Sequence, residues 1–223
     1  MNTSLTNTAR LLGAGLRALL VLTLVTGVIY PLAVTGIAQG LFAGKANGSE
    51  TESHGEVVGS SLIGQAYNLP LKKGQETPEP DLRWFQGRPQ NGLGSNSVNT
   101  QYKLILSGAT NRSADNAELV QWVKDAKAAV VKDNSVPGHP VNPSDVPADA
   151  VTSSGSGLDP AISPNYADLQ VHRVAERNGL PADRVQKLVD EHTEGRTLGF
   201  MGEPRVNVLE LNIALKDLSA ADR

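Results

Sequence analysis

The chain has 223 residues, 39% of them hydrophobic, no cysteine and a formal net charge of −3 at pH 7. The lack of cysteine excludes a fold held together by disulfides, and the acidic balance excludes the strongly basic surface that nucleic-acid binding requires. About 180 residues follow an N-terminal apolar segment, which is enough for one domain.

That apolar segment is the first element of the chain. Residues 18–43 contain no Asp, Glu, Lys or Arg, and roughly 20 apolar helical residues suffice to cross a bilayer. We therefore expect a transmembrane helix over residues 18–40, with a bend at Pro31, after a short cytoplasmic tail of residues 1–17. A cleaved signal peptide has a shorter apolar core of about 7–15 residues, although the small residues at 43–46 leave cleavage open as an alternative.

The charges on either side of this segment predict its orientation. Arg10 and Arg17 precede it, the first later cation is Lys45, and the first acidic residue is Glu50. Because basic residues flanking a span favour the cytoplasmic side, the N-terminus should lie inside the cell. Residues 45–223 then form an extracytoplasmic domain, which carries 18 cations against 23 anions.

Three glycines in the span are candidate partner-packing residues: Gly27, Gly36 and Gly40. Gly36, Gly40 and Gly44 recur at every fourth residue, a spacing that lets two membrane helices approach closely. Glycine is also common in membrane helices without such a role, so both interpretations stay open.

The chain between the span and residue 114 is rich in Gly, Pro, Asn and Ser. We expect an exit loop at residues 45–54, a short strand within residues 57–65 and a long surface loop over residues 68–96. Trp84 and Phe85 should anchor that loop to the domain. Aromatic residues beside arginines could also stack on bases, but the acidic domain favours anchoring.

Four helices are predicted in the rest of the chain. The first is capped by Asp115 with Glu118 as its capping-box partner and runs to about Lys132. A proline-rich stretch at residues 136–147 should then be extended. The second helix begins at Ser163 and Pro164 and stops at Gly179.

The third helix begins at Pro181 and ends before Gly195, and Asn207 caps the fourth with Glu210 at capping-box spacing. Val206 and Val208 also alternate as in a strand, so the start of the fourth helix is ambiguous. The predicted fold is a single-pass transmembrane helix followed by a small α+β extracytoplasmic domain.

Catalytic motifs are weak in this sequence. The four histidines lack metal-ligand spacing, and residues 153–157 do not match the G-x-S-x-G nucleophile elbow. We therefore predict no catalytic residue, no metal site and no directly bound cofactor. Three alternatives remain: nucleotide binding near Ser107 and Gly108 or within residues 153–159, a membrane-anchored serine hydrolase using Ser154 or Ser156 with Asp159 and a distant histidine, and a general binding module.

Short motifs spread over nearly the whole chain carry a family resemblance. They include Thr26, Gly27, Tyr30 and Pro31; Trp84, Phe85, Gly87, Arg88 and Pro89; Ser107, Gly108 and Asn111; Ser156, Gly157, Leu158, Asp159, Ile162 and Pro164; Arg173, Val174 and Ala175; and Gly202, Glu203, Pro204, Val206, Asn207, Glu210, Leu211 and Asn212. In order and spacing these residues resemble the C subunit of the bacterial potassium-transporting P-type ATPase, the KdpC family.

The resemblance implies a non-catalytic subunit of the ATP-driven Kdp potassium-uptake complex, in contact with its A, B and F subunits and with lipid in the bacterial cytoplasmic membrane. Such a subunit would support assembly and act as a catalytic chaperone that raises the ATP affinity of the B subunit. ATP and potassium would be handled by the complex. Because about 30 Å of hydrocarbon separates an outer domain from cytoplasmic ATP, this effect requires coupling through the complex, typically about 1–3 kcal/mol.

Overall fold

The computed structural model describes residues 3–75, 77–91, 93–95 and 105–221. The chain divides into two compact units, Met1–Glu50 and Thr51–Arg223. The first is almost entirely helical, and the second combines helices with short strands, as the predicted α+β class requires.

The N-terminal unit is a long apolar helix. It comprises α1 (Thr3–Leu24), a π-helical segment (Val25–Ile29) and α2 (Tyr30–Leu41), followed by the short α3 (Ala43–Ala46). Within the described residues, Ser4–Leu41 is the one helix that is long and apolar enough to cross a membrane, and an 18-residue stretch of it has a mean hydropathy of 2.1. The predicted span lies inside it, but the helix already begins at Thr3, so much of the predicted tail is helical.

The π-helical segment lies just before Pro31 and follows from its chemistry. Proline has no N–H to donate, and its ring crowds the carbonyl four residues earlier, which is that of Gly27. The preceding turn is widened, and the Tyr30 N–H donates to the Val25 carbonyl five residues back. The bend expected at Pro31 stays a prediction.

The prediction of an exit loop at residues 45–54 was wrong. Helix α3 includes Lys45, and β1 (Glu50–Ser53) pairs with β2 (Glu56–Ser60) in a hairpin. The sequence of β1 is polar and has no apolar alternation, so the pattern did not predict a strand. The strand forms through its pairing with β2. The strand expected within residues 57–65 is confirmed at residues 57–60.

Further short strands pair antiparallel. Strand β3 (Gly94–Ser95) pairs with β4 (Ile105–Leu106), and a sheet of order β5-β7-β6 joins β5 (Ala161–Ile162), β6 (Thr193–Glu194) and β7 (Arg205–Asn207). The long loop predicted over 68–96 thus ends in a strand, and its earlier part folds back on itself through bonds from Leu69 N to Glu79 O and Asp81 N to Tyr67 O. Asn96 lies outside the described residues.

The soluble helices are α4 (Ala117–Asn134), α5 (Pro164–Asn178), α6 (Ala182–Glu191) and α7 (Val208–Ala221). The predicted limits of α5 are confirmed: Ser163 Oγ accepts from Tyr166 N, and Gly179 closes the helix at φ 68°. Residues 205–207 form a strand and α7 begins at Val208, which resolves the ambiguity at Asn207.

Two local predictions were wrong. Helix α4 is capped by Asn116, whose Oδ1 accepts from Leu119 N at 3.0 Å. Asp115 lies one residue before the cap, and its carboxylate accepts a bond from Ser113 Oγ instead. The stretch at residues 136–147 is not extended throughout, because Pro143–Asp145 forms a 3₁₀ turn. Proline is compatible with the first position of a helical turn, where its missing N–H has no partner to lose.

The hydrophobic core is centred on α5. Ala167, Val171 and Val174 are buried in it together with Val206 of β7 and Leu211 of α7. Phe85 is also fully buried in this core, and Trp84 packs against it. The prediction that these two aromatic residues anchor the long loop is therefore confirmed.

Candidate functional site

The candidate partner-packing glycines lie on two different stretches of the membrane helix. Gly36 and Gly40 are on α2, and a Cβ added at either would meet no atom within 4 Å, so this strip of the helix is bare backbone. Gly27 lies in the π-helical segment. Gly44 is on α3, beyond a break at Phe42, so the four-residue spacing does not continue along one helix.

A buried arginine holds the anchored loop to the core. Arg173 of α5 is 1% exposed; its guanidinium donates to the carbonyls of Leu82 and Trp84, to Gln170 Oε1 at 2.6 Å and to Asn134 Oδ1 at 2.8 Å. All four acceptors are neutral, and no carboxylate pairs with the guanidinium to offset the cost of burying its charge. Burial therefore lowers the pKa of Arg173 to about 10. The side chain still carries its charge at neutral pH.

Two buried amides complete this grip on the loop. Gln170 accepts from Gln86 N at 2.7 Å and donates to Gln86 O at 3.0 Å, and Asn212 makes the same pair of bonds with Phe85, both at 2.9 Å. The two amides thus satisfy the backbone N–H and C=O groups of residues 85 and 86, as a neighbouring strand would in a sheet. We call Arg173, Gln170 and Asn212 the loop clamp. Sequence reasoning missed it, although Asn212 on the apolar face of α7 was a visible signal.

An ion pair lines a cleft beside the three-stranded sheet. Arg88 Nη1 lies 3.1 Å from Asp159 Oδ2, and both side chains are partly buried. The cleft has a volume of about 750 Å³, and its lining includes five carboxylates and two arginines: Asp149, Asp159, Glu194, Glu203, Glu210, Arg88 and Arg205. Three of these carboxylates form ion pairs with arginines: Asp159 with Arg88, Glu194 with Arg205 and Glu203 with Arg196. Asp149 and Glu210 leave a smaller acidic excess, which disfavours anionic ligands such as nucleotide phosphates.

The two segments proposed for nucleotide binding lie together in the structure. Gly108 N and Ser107 Oγ both donate to Ser156 O, at 3.0 and 2.9 Å. Within residues 153–159, Gly157 N donates to Ser154 O and Leu158 N to Ser156 Oγ. A phosphate cradle needs amides that point at the ligand, whereas these amides bond within the loop cluster itself.

The residues proposed for a serine hydrolase are engaged elsewhere. The Asp159 carboxylate accepts from Arg88 and, at 3.0 Å, from Ala161 N, so it caps a turn. Ser154 Oγ accepts from Asp159 N. A nucleophile needs a base within hydrogen-bond reach, and the four histidines contact other groups.

Two of those histidines stack on each other: the rings of His139 and His172 are 3.6 Å apart between centroids. His192 Nδ1 bonds to Leu188 O, and His54 lies at an exposed hairpin turn, 3.0 Å from Ser53 Oγ. Over residues 3–75, 77–91, 93–95 and 105–221, no group of three or more His, Cys, Asp or Glu side chains is placed to hold a metal ion.

Comparison with known proteins gives one consistent result. Residues 12–217 match the family model described as KdpC, K⁺-transporting ATPase, c chain. A potassium-transporting ATPase KdpC subunit of Streptomyces coelicolor is 81% identical over 220 residues, covering 99% of this chain and 98% of that protein. The KdpC subunit of Gemmatimonas aurantiaca is 46% identical over 209 residues, covering 92% and 94%. The chain therefore belongs to the KdpC family of potassium-transporting ATPase subunits.

Proposed function

We propose that this chain is a non-catalytic assembly and regulatory subunit of a Kdp potassium pump, held in the cytoplasmic membrane by residues 18–40 with its domain outside. The observation that carries this proposal is the 38-residue apolar helix Ser4–Leu41. One anchor of this kind, followed by one domain, would leave the whole domain on a single side of the membrane. The family supplies the pump as the partner.

The flanking charges support the orientation. Arg10 and Arg17 lie on α1 before the most apolar part of the helix, and the first acidic residue, Glu50, lies after its end at Leu41. At about 1.5 Å per residue the helix is roughly 57 Å long, so one end projects beyond a 30 Å hydrocarbon core. The segment with Arg10 and Arg17 is the end that suits the cytoplasmic side.

On the outside, the domain would cover the ion entrance of the channel-like A subunit. It carries more acidic than basic residues, and the cleft beside the three-stranded sheet is lined by five carboxylates and two arginines. Negative surfaces of this kind raise the local concentration of cations. An effect on ATP affinity would pass through the complex as a coupling free energy, which typically corresponds to about 5–150-fold in affinity.

The bare strip at Gly36 and Gly40 would receive a helix of a partner subunit. Gly27, which lies on another face of the membrane helix, would be a separate packing position. Changing Gly36 and Gly40 to leucine should reduce the amount of this chain that copurifies with a tagged B subunit. Ala38→Leu is the matched control, because at 100° per residue Ala38 faces away from both glycines. An intact, fully active complex with the leucine variant would refute this packing role.

The regulatory role is tested by the pump's KM for ATP, measured with and without this chain. We expect a higher KM without it, while nucleotide photolabelling of the chain stays absent in both sealed cells and inverted vesicles. Labelling of the chain itself would instead favour direct nucleotide binding. A serine-directed probe that labels the purified chain would favour the hydrolase alternative.

A further inference from the structure

The hairpin between β6 and β7 carries an apolar tip that is largely exposed to solvent. Leu198, Phe200 and Met201 are 77%, 70% and 44% exposed. The sequence has only three phenylalanines, and Phe85 of the same domain is fully buried. Exposing a phenylalanine and two more large apolar residues at one turn forgoes burial that would otherwise stabilise the domain.

The tip is an ordered turn. Thr197 N donates to Met201 O at 2.9 Å and Met201 N donates back to Thr197 O at 3.0 Å. Between them Leu198 has a φ of 54° and Gly199 a φ of 81°. A left-handed conformation is unfavourable for leucine. The two backbone hydrogen bonds between Thr197 and Met201 keep Leu198 in this conformation, with its side chain exposed to solvent.

The charges at the base of this turn neutralise one another. Arg196 pairs with Glu203 at 3.1 Å, and Arg205 pairs with Glu194 at 2.8 Å. The base therefore has no net charge that would draw the tip to a strongly charged surface. It supplies a polar rim around an apolar centre, which is the usual anatomy of a protein interface.

The size and composition of the tip favour a protein partner. Its three side chains expose on the order of 300–400 Å², estimated from the usual areas of such residues. A standard interface buries about 800 Å² on each partner, so the tip is the centre of a larger contact and too small for a separate dimer. Phenylalanine and methionine are enriched in protein interfaces, whereas headgroup-bound segments favour Trp, Tyr and unpaired basic residues.

We infer that Leu198, Phe200 and Met201 form a docking knob that inserts into an apolar pocket on the outer surface of another subunit of the pump. This inference rests on the proposed function, because it needs a partner subunit on the same side of the membrane as the domain. It adds a specific contact outside the bilayer to the helix packing proposed at Gly36 and Gly40.

Photocrosslinking in the assembled pump tests the docking knob. Phe200 is replaced by p-benzoylphenylalanine in the full-length chain, and the control carries the same residue at Leu71, an exposed leucine on another loop. We expect a covalent adduct with a pump subunit from position 200 and none from position 71. Adducts with lipid alone, no adduct, or equal adducts from both positions would overturn the inference.

A second measurement uses the double variant Leu198→Ser and Phe200→Ser, with Leu71→Ser as control. The double variant removes two apolar side chains that the contact would bury. Its dissociation from the purified, diluted complex should therefore be faster than that of the wild type by about tenfold or more. Dissociation at the wild-type rate contradicts the docking knob but leaves the proposed function intact. If the wild-type chain itself does not copurify with the pump, the proposed function fails instead.

Discussion

Arg173 is the side chain whose removal should damage the domain most, and Arg173→Met is the appropriate substitution because methionine keeps the length of the side chain without its donors. Leu82 O and Asn134 Oδ1 would lose Arg173 as their donor. Trp84 O and Gln170 Oε1 would each keep a bond from Gln86. The variant therefore weakens the loop clamp without removing the other two members.

The magnitude follows from these contacts. Each buried acceptor left without a donor costs about 1–3 kcal/mol, and each lost bond to a charged group costs about 1.5–3 kcal/mol. The variant recovers about 3 kcal/mol, because the lowered pKa of Arg173, about 10, reflects the cost of burying its charge. The two acceptors left without a donor and the two further bonds lost at Trp84 O and Gln170 Oε1 together cost about 5–12 kcal/mol. We therefore expect a net loss of about 2–9 kcal/mol, which lowers the melting temperature of a domain of this size by at least about 4 °C.

Thermal unfolding of the full-length chain in detergent, followed by tryptophan fluorescence, measures this loss, since Trp84 lies in the clamped loop. Arg177→Met is the matched control: Arg177 is on the same helix but exposed, and surface substitutions usually change stability by less than about 0.5 kcal/mol. A melting temperature of Arg173→Met within 2 °C of the wild type would refute the reasoning.

Two smaller predictions concern the domain alone. Burial, with a contribution from the stacked ring of His139, lowers the pKa of His172 in the folded state. The folded chain therefore binds fewer protons at this site than the unfolded chain does. The free energy of unfolding should fall as the pH drops below about 6.5 toward the lowered pKa. His172→Phe should remove this part of the pH dependence in melting curves, and an unchanged slope would contradict it. Asn116→Ala should cost about 1 kcal/mol through loss of the α4 cap, whereas Asp115→Ala should cost less; equal losses in urea unfolding would show that Asn116 is not the cap.

Local chemistry explains which parts of the fold the sequence predicted. The limits of α5 depend on Ser163, Pro164 and Gly179, whose preferences act within one turn of the helix. At α4 two adjacent residues, Asp115 and Asn116, could both cap, and only the backbone geometry of the folded chain decides between them.

The interactions that were missed join distant parts of the chain. Asn212 bonds to Phe85 across 127 residues, Gln170 to Gln86 across 84 and Arg88 to Asp159 across 71. A single sequence carries no spacing signal at such distances, although a polar residue on an apolar helix face indicates that a buried partner exists. The stacking of His139 on His172 was hidden for the same reason.

The side of the membrane on which the domain lies is the claim from which the rest of the proposed function follows. The chain has no cysteine, so single cysteines introduced as Thr8→Cys and Ser144→Cys, both at exposed positions, can be labelled with a membrane-impermeant maleimide on intact protoplasts. We predict that position 144 is labelled at once and position 8 only after permeabilisation. The reverse pattern would place the domain in the cytoplasm, within reach of ATP, and would contradict the proposed function.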